Sequence, residues 1–195
     1  SFSTMKTGST SVNAKLSKIS DPNIQIYEYD KNNPKLPHDY NNDKNYFKHT
    51  SCAELHDSKL DNYFKFAFVR NPWDRVLSWF FFYKENDVMK KLSTKNETFD
   101  DFILNESKNY RWAGDNQSQS NFTNCCDFTG RFENIQNDFN LICDKIKISR
   151  RKLPHQNKTK HMHYTKYYNE ETRKVVAERL VEDIECFNYK FGNLE

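Results

Sequence analysis

Lys6-Thr7-Gly8-Ser9-Thr10-Ser11 puts a lysine, a glycine and four hydroxyls just ahead of Val12, Leu16 and Ile19, which recur at helical spacing. Backbone N–H groups at a helix N-terminus lack intrahelical acceptors, and the helix dipole favours an anion there by about 0.3–1 kcal/mol. With Lys6 and the hydroxyls as further donors, the run suits a phosphate-like group. A Ser/Thr helix cap beside an exposed lysine explains it equally well. In a second set, Arg70 ends the apolar run Phe64 to Val69, and Ser78 lies about two turns into a following helix. Arginine at the C-terminal end of a strand enters the crevice where open α/β sheets bind ligands. Its planar fork can hold a phosphate through two hydrogen bonds, and a serine hydroxyl can complete the grip. The bland reading pairs Arg70 with a carboxylate and leaves Ser78 as helix filler. Arg75 is expected to be structural, paired with Asp74 or Glu85.

A hydroxyl acceptor would need a general base, and imidazole, with an unperturbed pKa of about 6.5, is the natural choice among six histidines. His49 stands just before a helix predicted from Ser51, where Ser51-Cys52-Ala53-Glu54 has the spacing of a capping box. On the residues alone, His49 is as readily a histidine packing at a helix start. His56 reads as a surface residue. His155, His161 and His163 lie in a basic loop over Ser149 to His163, where contact with an anion competes with solvation. Lys158 and Thr159, in the same loop, are further anion-binding candidates. Phe80 to Tyr83 would cover every face of a helix and therefore reads as core; Trp112, in a polar stretch, is the better candidate for an exposed aromatic.

The composition removes several alternatives. Lys plus Arg is 30 and Asp plus Glu is 27, so the net charge is +3, which gives little argument for nucleic acid. Gly8, Gly114, Gly130 and Gly192 are the only glycines and stand too far apart for a dinucleotide fingerprint, a Walker A loop or a kinase glycine loop. No apolar run approaches the ~20 residues of a membrane span. The five cysteines, Cys52, Cys125, Cys126, Cys143 and Cys186, form no CxxC pair or zinc spacing, so no metal site is expected. They could be buried thiols of a cytosolic protein or partly paired in a secretory lumen.

The elements that must position these residues form one α/β domain over residues 1–195, with a central parallel sheet flanked by helices. Ile24 to Tyr29 alternates like a strand, Asp30 to Asn45 has loop composition, and Phe64 to Val69 suits a buried parallel strand. Asn71 as cap, Pro72 at the first helical position and Asp74 in the first turn make a strong helix start. Ile135, Phe139, Ile142 and Ile146 predict one amphipathic helix, and Val176, Leu180, Ile184 and Phe187 another. Ser1 to Thr4 is too short for a whole strand, and a truncated first strand is expected.

The Lys-Thr-Gly-Ser-Thr-Ser run at 6–11 resembles the 5′-phosphosulfate loop of the sulfotransferases that use 3′-phosphoadenosine 5′-phosphosulfate (PAPS). Phe68-Val69-Arg70-Asn71-Pro72 followed by Arg75 and Ser78 resembles their 3′-phosphate motif, in the same order and spacing. Weaker similarity runs through Arg131-Phe132-Glu133-Asn134 and Leu153 to Thr159 to the C-terminal helix, so it covers nearly the whole chain. The carbohydrate enzymes of the Golgi, heparan sulfate 2-O-sulfotransferase among them, and bacterial-type relatives are the nearest in kind. Met5 stands where the family usually has proline.

The resemblance implies a P-loop-like sulfotransferase fold and PAPS as cofactor, with 3′-phosphoadenosine 5′-phosphate (PAP) as product and no metal. It implies in-line sulfuryl transfer to a hydroxyl, most readily of a glycan, with Lys6 stabilising the developing charge and His49 as base. Thr7, Gly8, Ser9, Thr10, Ser11, Arg70, Ser78, Lys158 and Thr159 would join Lys6 in holding the cofactor. Such an enzyme is cytoplasmic if the chain is nearly complete, and in the Golgi lumen if it is the catalytic part of an anchored enzyme. Oligomeric state is open. The alternatives are a non-catalytic module binding anionic glycans through its Lys/Arg surface and, less favoured, a magnesium-dependent phosphotransferase.

Overall fold

The computed structural model describes residues 7–16, 25–27, 45–47, 64–85, 97–105, 118–154 and 161–192. Lys6, His49, His56, Trp112, His155, Lys158, Thr159 and the helix start at Ser51 lie outside them. Chain order is α1 (Ser9–Leu16), β1 (Gln25–Tyr27), β2 (Asn45–Phe47), β3 (Phe66–Val69), α2 (Pro72–Glu85), α3 (Phe99–Leu104), β4 (Phe128–Arg131), α4 (Ile135–Lys145), α5 (Glu170–Arg179) and α6 (Val181–Cys186). Short 3-10 turns occupy Ser120–Phe122, Phe132–Asn134 and Tyr164–Lys166.

Among the described residues, the expected central sheet is two separate two-stranded parallel sheets, β1 with β2 and β3 with β4. β2 begins where the predicted loop ends. β3 is buried along its length, and its alternation divides the interior. Phe66 and Phe68 join Val12, Phe139, Ile142, Cys143 and Leu153 in one apolar cluster; Val69 joins a larger one built from α2, α3, α5 and α6. Gly130 on β4 pairs with Phe68 on β3, and a Cβ there would lie 2.6 Å from the Phe68 ring. Absence of a side chain at 130 is what lets that ring lie across the neighbouring strand.

Local sequence explains the helix ends. Asn71 Oδ1 accepts from the Trp73 N–H at 3.1 Å and the Asn71 carbonyl accepts from the Arg75 N–H at 2.8 Å, which caps α2 as predicted. Trp79, Phe80 and Tyr83 are buried in the larger cluster with Phe81 and Phe82 packed against it, so the aromatic run is core. α4 ends in a Schellman turn: Lys147 takes φ 57°, and the Ile148 N–H reaches the Cys143 carbonyl at 2.9 Å. Asn188 repeats that turn after α6 at φ 52°, with the Tyr189 N–H on the Ile184 carbonyl at 3.0 Å.

Two expectations are corrected. The helix predicted through Val176, Leu180, Ile184 and Phe187 is two helices broken at Leu180, whose φ of −116° and ψ of 29° end α5 and open α6. Arg75 is structural as expected, yet its partner is neither Asp74 nor Glu85: Nη1 lies 3.4 Å from Asp183 Oδ2, each side chain 1% exposed. The break re-aims α6 so that Asp183 points inward, where it also accepts from the Gln119 N–H at 2.7 Å and the Ser118 hydroxyl at 3.2 Å. Burial pulls the Arg75 guanidinium down to about 10, against the raising effect of Asp183 and with the neighbouring charge of Arg70. Removing Asp183 takes a counter-charge away from a buried guanidinium. Asp183→Ala is expected to lower unfolding free energy by about 3–5 kcal/mol, whereas the apolar double replacement Arg75→Met with Asp183→Leu should lose less than that single change; urea midpoints check both.

Candidate active site

The site is built at the C-terminal edge of β3 and β4. The parallel register pairs Val69 with Arg131, so the residues that follow, Arg70 and Phe132, leave the sheet side by side. The Arg70 guanidinium carbon sits 4.2 Å above the centre of the Phe132 ring, a cation–π contact. Arg70 Nε donates to Asp74 Oδ2 at 2.8 Å, one turn into α2. The carboxylate pairing weighed for Arg70 therefore exists, and it engages one of the five N–H donors of the guanidinium. Ser78 is half-buried on α2 one turn beyond Asp74, on the same face.

The glycine loop meets this edge from the other side. Gly8 takes φ 82°, a backbone conformation that side chains resist, and its carbonyl accepts the first α1 bonds from the Ser11 and Val12 N–H groups at 3.0 and 3.3 Å. A Cβ at position 8 would lie 2.5 Å from Ile135 Cδ1 and 3.1 Å from Phe132 Cδ2. Thr7 and Ser11 are buried; Ser9 and Thr10 open α1. The two motifs, far apart in the chain, thus converge on one ring, Phe132.

Two side chains given no role from the sequence hold Arg70 and Asn71 in place. Gln119, fully buried, accepts from the Arg70 N–H at 2.8 Å and donates from Nε2 to the Arg70 carbonyl at 3.0 Å. Glu133 Oε1 accepts from the Asn71 N–H at 2.6 Å, and Oε2 accepts from the Tyr189 hydroxyl at 3.2 Å. The C-terminal segment closes around them: Asn71 Nδ2 donates to the Lys190 carbonyl at 3.1 Å, and Arg131 Nη2 to the Phe187 carbonyl at 2.7 Å. Arg131-Phe132-Glu133-Asn134 carries the family likeness, and that was the one sequence signal pointing here; Gln119 carried none.

Two of the loop histidines fall within the described residues. His161 stacks on Phe81 at 4.9 Å between centroids, about 13 Å along α2 from Pro72 at 1.5 Å per residue. His163 packs on Tyr164 at 4.5 Å, with Nδ1 2.8 Å from the Thr165 hydroxyl. The adjacent cysteines differ: Cys125 is disulfide-bonded, while Cys126 is a thiol that burial pushes up to about 12. Among the described residues no three His, Cys, Asp or Glu side chains converge as a metal set. No helix there is long and apolar enough to cross a membrane.

A model of the sulfotransferase family matches residues 2–190, nearly the entire chain. The chain belongs to the sulfotransferase family. Both motifs of this chain fall within the matched span, as do Gln119, Phe132 and Glu133. An uncharacterized protein of Archaeoglobus fulgidus is 31% identical over 87 residues, 45% of this chain and 70% of that protein. No solved structure matches significantly.

Two outcomes follow for the supports of Arg70. Gln119→Leu leaves the Arg70 N–H and C=O buried without that partner, and is expected to reduce unfolding free energy by about 1–3 kcal/mol per group, read from urea unfolding. Glu133 is held above the ordinary carboxylate range first by burial, against the lowering effect of the Asn71 N–H and the Arg70 charge. A raised folded-state pKa means that the native state holds the proton longer, so Glu133 contributes less stability as pH rises through that pKa. Glu133→Gln keeps an acceptor oxygen without the charge. Its melting temperature relative to wild type should climb as pH rises above the ordinary carboxylate range; an unchanged difference would refute the assignment.

Proposed function

We propose that this sulfotransferase transfers a sulfuryl group from PAPS to a hydroxyl of a carbohydrate acceptor. The observation that carries the reading is the convergence of Gly8 and Arg70 on Phe132, two anion-suited groups at one strand edge. The residues fit such a cofactor: the crowded position at Gly8 leaves bare backbone at a helix N-terminus, and Arg70 supplies a fixed cationic fork. Lys6 and the N–H groups after Gly8 would hold the 5′ end, and Arg70 with Ser78 the 3′-phosphate; Lys158 and Thr159 are further candidates. When bound, PAPS supplies an activated sulfuryl group. Lys6 and the loop N–H groups would then stabilise the developing negative charge, and His49 would accept the proton of the acceptor hydroxyl at an imidazole nitrogen.

A basic ridge supports an anionic acceptor. Lys145, Lys147, Arg150, Arg151 and Lys152 are all exposed, and Asp144 neutralises Arg150 at 2.8 Å. Gln136, next to Ile135, pins this ridge beside the loop: its amide donates to the Arg151 carbonyl at 3.1 Å and accepts from the Leu153 N–H at 2.8 Å. The same ridge favours the second reading, a module that binds anionic glycans without turnover. For compartment we propose an oxidising lumen or exterior, since Cys125 is disulfide-bonded.

Transfer of radiolabelled sulfate from PAPS to a panel of glycans separates the readings. Wild type is expected to turn over without added metal, and Arg70→Ala and Lys6→Ala to lose at least ~100-fold in kcat/KM. His49→Ala should lower kcat by roughly 100-fold or more with little change in cofactor affinity. Full turnover by His49→Ala would remove the base assignment and leave the reaction class. Salt-sensitive glycan retention with no transfer to any acceptor would favour the binding module.

A further inference from the structure

Phe132 is only half-buried, yet it touches both halves of the site. Its place follows from the backbone: β4 ends at Arg131 in register with Val69, and a 3-10 turn begins at Phe132 itself. The ring is thereby laid under the Arg70 guanidinium at 4.2 Å, while the volume that a Gly8 side chain would fill abuts Cδ2 and Cε2 at 3.1 and 3.2 Å. Arg70 and the Gly8 backbone thus both bear on this one ring. Gln119 holds the backbone of Arg70 independently, so the ring governs where the guanidinium points rather than where the strand ends.

We propose that Phe132 is a positioning residue that sets the separation of the two anion-binding groups, and so selects a nucleotide phosphorylated at both its 3′ and 5′ positions over one phosphorylated at a single position. The inference rests on the cofactor reading above. A flat, rigid ring has two torsions and keeps a fixed spacing; an aliphatic side chain of several rotamers would let the guanidinium settle toward Asp74 or toward the loop. A ring that merely filled core would, on truncation, weaken every nucleotide alike through lost stability. A spacer changes the ratio between nucleotides, and that is the quantity to measure.

Calorimetric titration of the full chain with PAP and with 5′-AMP gives that ratio for wild type, Phe132→Leu, Phe132→Met and Phe132→Tyr. Circular dichroism establishes which variants fold. Wild type is expected to prefer PAP, and the Leu and Met variants to lose roughly three- to thirty-fold of that preference as the cation–π contact goes. Phe132→Tyr, which keeps the ring, should stay within about two-fold of wild type. A wild-type ratio in whichever of the Leu and Met variants folds would overturn the proposal. Absence of any PAP preference in wild type would instead overturn the cofactor reading, and the proposal with it, before any variant is compared.

Discussion

The parallel pairing of Val69 with Arg131 is the constraint from which the site follows. A parallel ladder fixes which residues leave adjacent strands together, and here it releases a cation and an aromatic ring side by side. Every other device at this edge serves that pair. Gly130 leaves room for the Phe68 ring that keeps the two strands in contact, and Gly8 admits the loop against the Phe132 ring. A one-residue slip of β4 would exchange Phe132 for Arg131 or Glu133 beside Arg70, replacing attraction by repulsion or by a full ion pair.

Beneath the edge lies a polar network that a purely apolar core would lack. Asp183 binds Arg75, Gln119 and Ser118, Gln119 binds both backbone groups of Arg70, and Glu133 binds Asn71 and Tyr189. Buried polar groups are costly unless satisfied, so such a network tolerates few alternative arrangements. It links the broken C-terminal helix to Arg70. The break at Leu180 and the left-handed Asn188 are what deliver Asp183 and Tyr189 to their partners.

Much of the frame was legible in the sequence because its signals are local. The strand before Arg70, the Asn71-Pro72 helix start and the apolar spacing of α4 each depend on a few neighbouring residues. The core character of Phe80 to Tyr83 follows from the same short-range rule. α3 was missed although Thr98 and Asp101 form a reciprocal capping box. Other features are not local. That Arg75 pairs with Asp183 rather than with Asp74, that Gln119 clamps Arg70, and that both motifs meet Phe132 are products of register and tertiary contact. No periodicity encodes them. The motifs were readable; their convergence on one ring was not.

The central claim is that the Gly8 loop and Arg70 form one site for a doubly phosphorylated nucleotide. A metal-free thermal-shift titration with PAP, 3′-AMP, 5′-AMP and ATP in parallel tests it most directly. The account predicts that PAP stabilises the protein well beyond either monophosphate and beyond ATP. Equal shifts with all four, or none with any, would contradict it.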